Sequence, residues 1–264
     1  MKRIEYKFAS LRAKNEKALI VYLTAGDPSL GITKKLIFAL EKAGVDILEI
    51  GVPFSDPTAD GPVIQEASQR ALKAGTTLEG VLQMLTEVRK VSEIPIVLFG
   101  YFNPIFAYGV KKFSLAARAA GVDGVLVVDL PYEEAKELKI YTDAVGIDFI
   151  SLIAPTTGKE RLKKITAEAS GFLYYISITG ITGTAAPKIG NIKIEVEKIR
   201  KITKLPIAVG FGISTPEQAK AISRFADGVV IGSAVVRLID ENTNNRDLVK
   251  ILSDYASDIK KALQ

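Results

Sequence analysis

Eight times along the 264 residues, a short apolar run gives way to a longer amphipathic stretch. The runs are Ala18–Thr24, Ile47–Gly51, Ile96–Phe99, Gly124–Val128, Phe149–Leu152, Phe172–Ile176, Ile207–Val209 and Gly228–Ile231. Their length and near-continuous apolar character suit strands buried on both faces. The stretches Ile32–Ala43, Leu78–Val91, Lys111–Ala120, Glu133–Val145, Lys159–Ala169, Ile192–Ile202, Pro216–Ile222 and Leu248–Leu263 carry helical patterns. Strands that alternate with helices pair in parallel through right-handed crossovers. Eight such units in a chain of this length predict an α/β fold, the (β/α)8 TIM barrel. Ala43-Gly44-Val45-Asp46, Ala120-Gly121-Val122-Asp123 and Val145-Gly146-Ile147-Asp148 each end a helix on glycine, the residue that tolerates positive φ there. No low-complexity linker interrupts the pattern. The expectation is a single domain over 1–264, with an extra N-terminal helix, another extra helix near Val63–Lys73 and long loops after the second and sixth strands.

Composition narrows the chemistry. The chain has no cysteine and no histidine, so acid–base work falls to Asp, Glu, Lys or Tyr. A metal would need an all-carboxylate site, and no such cluster stands out, so no metal is expected. No lysine lies inside a predicted strand, which disfavours Schiff-base chemistry. The net charge is +5, but the basic residues (Lys159, Arg161, Lys163, Lys164; Lys193, Lys198, Arg200, Lys201) are spread along predicted helices. They read as solvated faces, and no nucleic-acid partner is expected. Met1-Lys2-Arg3-Ile4-Glu5 leads into a mixed polar stretch, and no signal peptide is expected. The longest uncharged run, Ala169 to Pro187, is broken by Gly, Ser and Thr and reads as strand and loop, not as a membrane span. A cytoplasmic protein is expected, and Lys/Glu/Ile-rich usage leans towards a thermophile source.

Within the second apolar run, Glu49 stands between Leu48 and Ile50. Removing a carboxylate from water costs several kcal/mol unless it is paired or protonated. Either a structural partner (backbone or Tyr) or chemistry must account for it. In the second case desolvation raises its pKa, and it can hold a proton near neutrality and deliver it. The loop that follows brings Asp56, which reads as a turn residue, and Asp60, just before Gly61-Pro62. Asp60 is either a helix-start aspartate or a second carboxylate carried over the same pocket. Active sites of such barrels lie on the loops after the strands, and the two unusually long ones, Pro53–Pro62 and Thr179–Asn191, both follow strands. Gly210-Phe211-Gly212-Ile213-Ser214 and Gly232-Ser233 suit phosphate binding after strands seven and eight, or else are turn glycines that close the barrel. A dinucleotide reading fails for want of a third glycine and a following acid. Tyr22, Phe99, Tyr101, Tyr174 and Phe211 fall at strand ends, where they line either a pocket or the core.

Leu48-Glu49-Ile50-Gly51-Val52-Pro53-Phe54-Ser55-Asp56-Pro57-Thr58-Ala59-Asp60-Gly61-Pro62-Val63-Ile64-Gln65 closely resembles the signature of the tryptophan synthase alpha subunit family. The resemblance extends in order through Tyr22–Pro28, Tyr101–Pro104, Ser177–Gly183, Gly210–Ser214 and Gly232–Ala234. It implies cleavage of indole-3-glycerol phosphate to indole and glyceraldehyde 3-phosphate. By the same resemblance, Glu49 is the acid–base and Asp60 stabilises the positive charge at the indole nitrogen. Tyr174 stands beside the reacting carbons, and Tyr22, Tyr101 and Phe211 beside the indole. Gly183, Gly212, Ser214, Gly232 and Ser233 hold the phosphate, and Thr182 anchors the long loop over Asp60. It implies no cofactor in this chain, with pyridoxal phosphate confined to a partner beta subunit in an α2β2 complex. Ile178 stands where some members carry Arg, and the tail of that loop, Thr184–Asn191, is variable. Two rivals are a regulatory barrel subunit that docks on and activates a beta subunit, and another phosphate-binding barrel enzyme.

Overall fold

The computed structural model describes residues 1–176, 189–210 and 212–264. Its strands are β1 (Ala18–Thr24), β2 (Ile47–Gly51), β3 (Ile96–Gly100), β4 (Gly124–Val127), β5 (Asp148–Phe149), β6 (Ser151–Ile153), β7 (Leu173–Ile176), β8 (Ile207–Gly210) and β9 (Gly228–Ile231). The helices up to the middle of the chain are α1 (Arg3–Ala13), α2 (Leu30–Lys42), α3 (Pro62–Lys73), α4 (Leu78–Arg89), α5 (Phe102–Tyr108) and α6 (Val110–Ala119). After them come α7 (Lys136–Val145), α8 (Lys159–Glu168), α9 (Ile189–Arg200), α10 (Pro216–Ser223), α11 (Ser233–Glu241) and α12 (Leu248–Lys261).

The sheet runs β5-β4-β3-β2-β1-β9-β8-β7-β6, with every pairing parallel. Only Ile150 separates β5 from β6, and its N–H donates to Val125 O at 2.9 Å. The two pieces are therefore halves of one strand position, bonded to β4 on one side and β7 on the other. The predicted strand Phe149–Leu152 is split, and the count of eight barrel positions stands.

Two helices lie outside the sequence reading. Helix α5 has seven residues, too short for a periodic signal, with Pro104 in its first turn, where no intrahelical N–H is lost. Helix α11 begins at Ser233, directly off β9. Its first residues read as a phosphate loop, and its Val235, Val236, Ile239 face went unread. The glycines after α2, α6 and α7 do take positive φ, at 94°, 79° and 78° for Gly44, Gly121 and Gly146. Lys159, Arg161, Lys163 and Lys164 are exposed, as solvated faces should be. Among the described residues no helix is long and apolar enough to cross a membrane.

Side chains alternate along each strand. Leu48, Ile50, Leu98, Val125, Leu173 and Val209 pack outward against the helices. Ile20, Ile47, Val97, Leu126, Ile150, Phe172 and Val230 fill the barrel interior. Helix α1 closes its lower end with Ile4, Phe8 and Leu11, and the Phe8 and Phe172 ring centroids are 5.7 Å apart.

Aspartates at the strand entries fasten that end. Asp46 Oδ2 accepts from Leu19 N at 2.8 Å and from the buried Lys260 Nζ at 2.7 Å. Asp123 accepts from Ile96 N, Arg89 and Arg3, and Asp227 from Ile207 N and Arg200. Lys2 reaches Asp148 at 2.7 Å. Each carboxylate thus satisfies a main-chain donor, a cation or both, which is what burial demands.

The α1 plug gives a direct test. Phe8→Ala should cost about 3–5 kcal/mol of stability, read as a lower urea midpoint with an unchanged slope.

Candidate active site

Alternation along β2 decides where Glu49 points. Leu48 and Ile50 face the helices, so Ile47, Glu49 and Gly51 face the interior. In the sheet Glu49 is level with Tyr22 of β1 and Val97 of β3. The side chain is 1% exposed, and neither carboxylate oxygen has a hydrogen-bond partner among the described residues. Burial, with no compensating bond, raises its pKa to about 8. Among the described residues, neither backbone nor tyrosine holds this carboxylate.

Asp60 comes from the β2–α3 loop. Tyr101 stands at the top of β3, and its Oη donates to Asp60 Oδ2 at 3.0 Å while accepting from Ala59 N at 3.0 Å. Gln65 Nε2 donates to the Asp60 carbonyl at 2.8 Å, tying the loop to the first turns of α3. Gly61, not Asp60, is the N-cap of α3, and Pro62 opens the helix. The helix-start reading of Asp60 therefore gives way to a carboxylate held over the mouth. Burial raises it to about 6, with the Tyr101 hydrogen bond opposing. Asp56 shapes the loop as expected, its carbonyl accepting from Thr58 N.

Two strand-top glycines let tyrosines lean across the mouth. A Cβ at Gly51 would lie 2.1 Å from Tyr22 Oη, and one at Gly210 would lie 2.3 Å from Tyr174 Oη. Tyr22 stacks edge-on against Phe99 at 5.2 Å, and Phe54 lies 5.2 Å from Tyr101. Burial raises the Tyr22 and Tyr174 phenols, reinforced by Asp60 for Tyr22 and by Glu49 for Tyr174, so both stay protonated. The sequence reading did not single out Thr24, whose Oγ1 donates to Tyr22 Oη at 3.3 Å. Period-two spacing from Tyr22 was the signal that could have found it. A cavity of about 510 Å³ opens beside the mouth, lined in part by Val127, Tyr132, Phe149, Leu152 and Ile176, and Leu152 is level with Tyr174 in the sheet.

Of the predicted phosphate residues, Gly212 has φ 57°, and no described residue comes within 4 Å of where a Cβ would be. Ser214 N and Oγ both donate to Gln218 Oε1, at 2.9 and 3.3 Å, beside the Thr215–Gln218 capping box that starts α10. Gly232 is the N-cap of α11 and Ser233 its first residue, and the opening N–H groups of a helix have no intrahelical acceptor. Thr182, Gly183 and Phe211, and Ile178 with most of the long loop, lie outside the described residues.

The tryptophan synthase alpha chain family matches residues 8–264. The tryptophan synthase alpha chain of Desulfatibacillum aliphaticivorans is 52% identical over 262 residues, covering 99% of each chain. That of Citrifermentans bemidjiense is 49% identical over 263 residues, covering 100% of this chain and 98% of its own. Among solved structures, tryptophan synthase subunit alpha of Legionella pneumophila superposes with a TM-score of 0.94 at 40% identity, covering 100% of this chain and 98% of its own. A chain from the tryptophan synthase α2β2 complex of Pyrococcus furiosus does so at 0.85 and 40% identity, covering 92% and 98%. With an interior acid on β2, a second carboxylate above it and a match over nearly its whole length, the chain belongs to the tryptophan synthase alpha chain family.

Proposed function

We propose that this chain cleaves indole-3-glycerol phosphate to indole and glyceraldehyde 3-phosphate, with Glu49 as the acid–base and Asp60 as the electrostatic partner of the indole ring. The observation that carries the reading is the Glu49 carboxyl, buried in the barrel interior without a hydrogen-bond partner among the described residues. A subunit that only docked on a partner would have no use for such a group.

The neutral Glu49 acid gives its proton to indole C3, leaving the ring cationic at nitrogen. The Asp60 carboxylate accepts a hydrogen bond from the indole N–H and stabilises that charge. The Glu49 carboxylate then takes the proton of the glycerol hydroxyl next to C3. As the carbonyl forms, the carbon–carbon bond breaks and its electrons return to the ring. Indole and the aldehyde leave, and Glu49 again holds a proton. One group in two proton-transfer roles contributes about 10²–10⁴-fold for each.

Tyr174 stands beside the reacting carbons, and Tyr22, Tyr101 and Phe211 beside the indole. Gly183, Gly212, Ser214, Gly232 and Ser233 hold the phosphate, and the first turn of α11 suits an anion through its free N–H groups. Ser214 can join only by turning its donors from Gln218. Thr182 anchors the long loop over Asp60. The chain works in the cytoplasm as one domain in an α2β2 assembly, and the relation to the Pyrococcus furiosus chain supports that assembly. Pyridoxal phosphate belongs to the beta subunit, which consumes the indole.

Glu49→Gln should abolish indole release, measured on the isolated chain and with a beta subunit added, while binding of glycerol phosphate stays near normal. Wild-type turnover in that variant would refute the assignment.

The pH profile carries a sign. Glu49 must be protonated, so kcat/KM should fall as pH rises through about 8, and Asp60 must be charged, so it should fall as pH drops through about 6. Asp60→Asn should lower kcat severely and remove the acid limb alone.

A further inference from the structure

The guanidinium of Arg70 joins three elements that bear on the site. Arg70 lies on α3, five residues beyond Gln65, which holds the Asp60 carbonyl. Its Nε and Nη2 donate to Asp27 Oδ1 and Oδ2, at 2.9 and 2.8 Å. Asp27 is fully buried in the turn that leaves the top of β1. The remaining nitrogen, Nη1, lies 3.0 Å from Asp240 Oδ1 on α11, the helix whose first turn is Gly232-Ser233. Between α3 and α11, Ala67 and Val236 close over Tyr22. The turn after α3 locks in from the other side, because a Cβ on Gly26 would lie 1.9 Å from Thr76 Oγ1.

These contacts form a single mechanical path. The substrate must be gripped by its phosphate near the start of α11 while its indole nitrogen meets Asp60, which is carried on the lead into α3. The separation of those two points is therefore set by how α3 and α11 are fixed to each other and to β1. Packing through Ala67 and Val236 is non-directional, whereas a planar guanidinium in a bidentate fork fixes both distance and angle. We propose that Arg70 is a positioning residue for the cleavage reaction, a three-way clamp that holds the Asp60 carboxylate and the phosphate-binding helix in register across the top of β1. The proposal rests on the roles given above to Asp60 and the α11 terminus.

The test is steady-state kinetics of indole-3-glycerol phosphate cleavage on the full chain, with melting curves to keep every assay where the variants are folded. Arg70→Lys keeps the charge and most of the length but supplies one nitrogen in place of three. A shift of about 1 Å between substrate and catalytic group costs up to about 100-fold, so kcat/KM should fall by roughly 10- to 100-fold, with both kcat and KM affected. Asp240→Asn cuts only the leg to α11. It should raise KM, and the inhibition constant of glycerol phosphate, by a common factor while kcat changes little. In an Asp60→Asn background Arg70→Lys should add little further loss of kcat, because both act through one carboxylate.

If Arg70→Lys lowers the melting temperature but leaves kcat and KM unchanged, the residue is only structural and the proposal is overturned. Full additivity with Asp60→Asn would also overturn it. Wild-type turnover in Asp60→Asn alone would overturn the role of Asp60, and the turnover arm of the clamp with it, while the KM arm stands or falls on Asp240→Asn.

Discussion

The site depends on a carboxyl that the fold buries and that no described residue pairs. Parallel pairing of β1 and β2 sets the register, period two turns Glu49 inward, and no described donor reaches its oxygens. Such a group binds more protons in the folded chain than in the unfolded one. It therefore costs little while neutral, and it draws down stability as pH rises from its ordinary value of 4.5 to about 8. On the proposed mechanism, what makes it costly to the fold makes it useful to the reaction, because an acid still protonated near pH 7 can give up its proton and take it back.

Stability and chemistry occupy opposite ends of the barrel. At the strand entries, aspartates meet main-chain donors and cations, and α1 fills the opening with apolar side chains. At the exits the arrangement reverses, with glycines where side chains would fill space, tyrosines leaning over them, and carboxyls whose protons are loosely committed. Tyr101 shows the difference in miniature. It is buried like a core residue, yet its hydroxyl accepts from Ala59 and donates to Asp60, and so fixes both the loop and the carboxylate.

The barrel was legible because its signals are periodic and local. Eight apolar runs, the glycines past three helices and the aspartates after them all follow from spacing. Glu49 was legible for the opposite reason, as a charge in a place where spacing allows none. What escaped had no local signature. Helix α5 is too short to show a period, and α11 was masked by the phosphate reading of its own first residues. The pairing of Arg70 with Asp27 joins residues 43 positions apart, and nothing in either neighbourhood announces it. Asp60 drew notice by its place in the long loop after β2, but only Gly61 as the N-cap of α3 and the Tyr101 hydrogen bond separated it from an ordinary helix-start aspartate.

The most direct measurement is the titration of the Glu49 carboxyl itself, followed by carbon NMR of glutamate-labelled protein and assigned by the signal lost in Glu49→Gln. A midpoint near 8 is expected, with the resonance at its neutral-acid position throughout the physiological range. A midpoint near the ordinary 4.5 would mean that the carboxyl is ionised at neutral pH and has no proton to give, and the account would be contradicted at its centre.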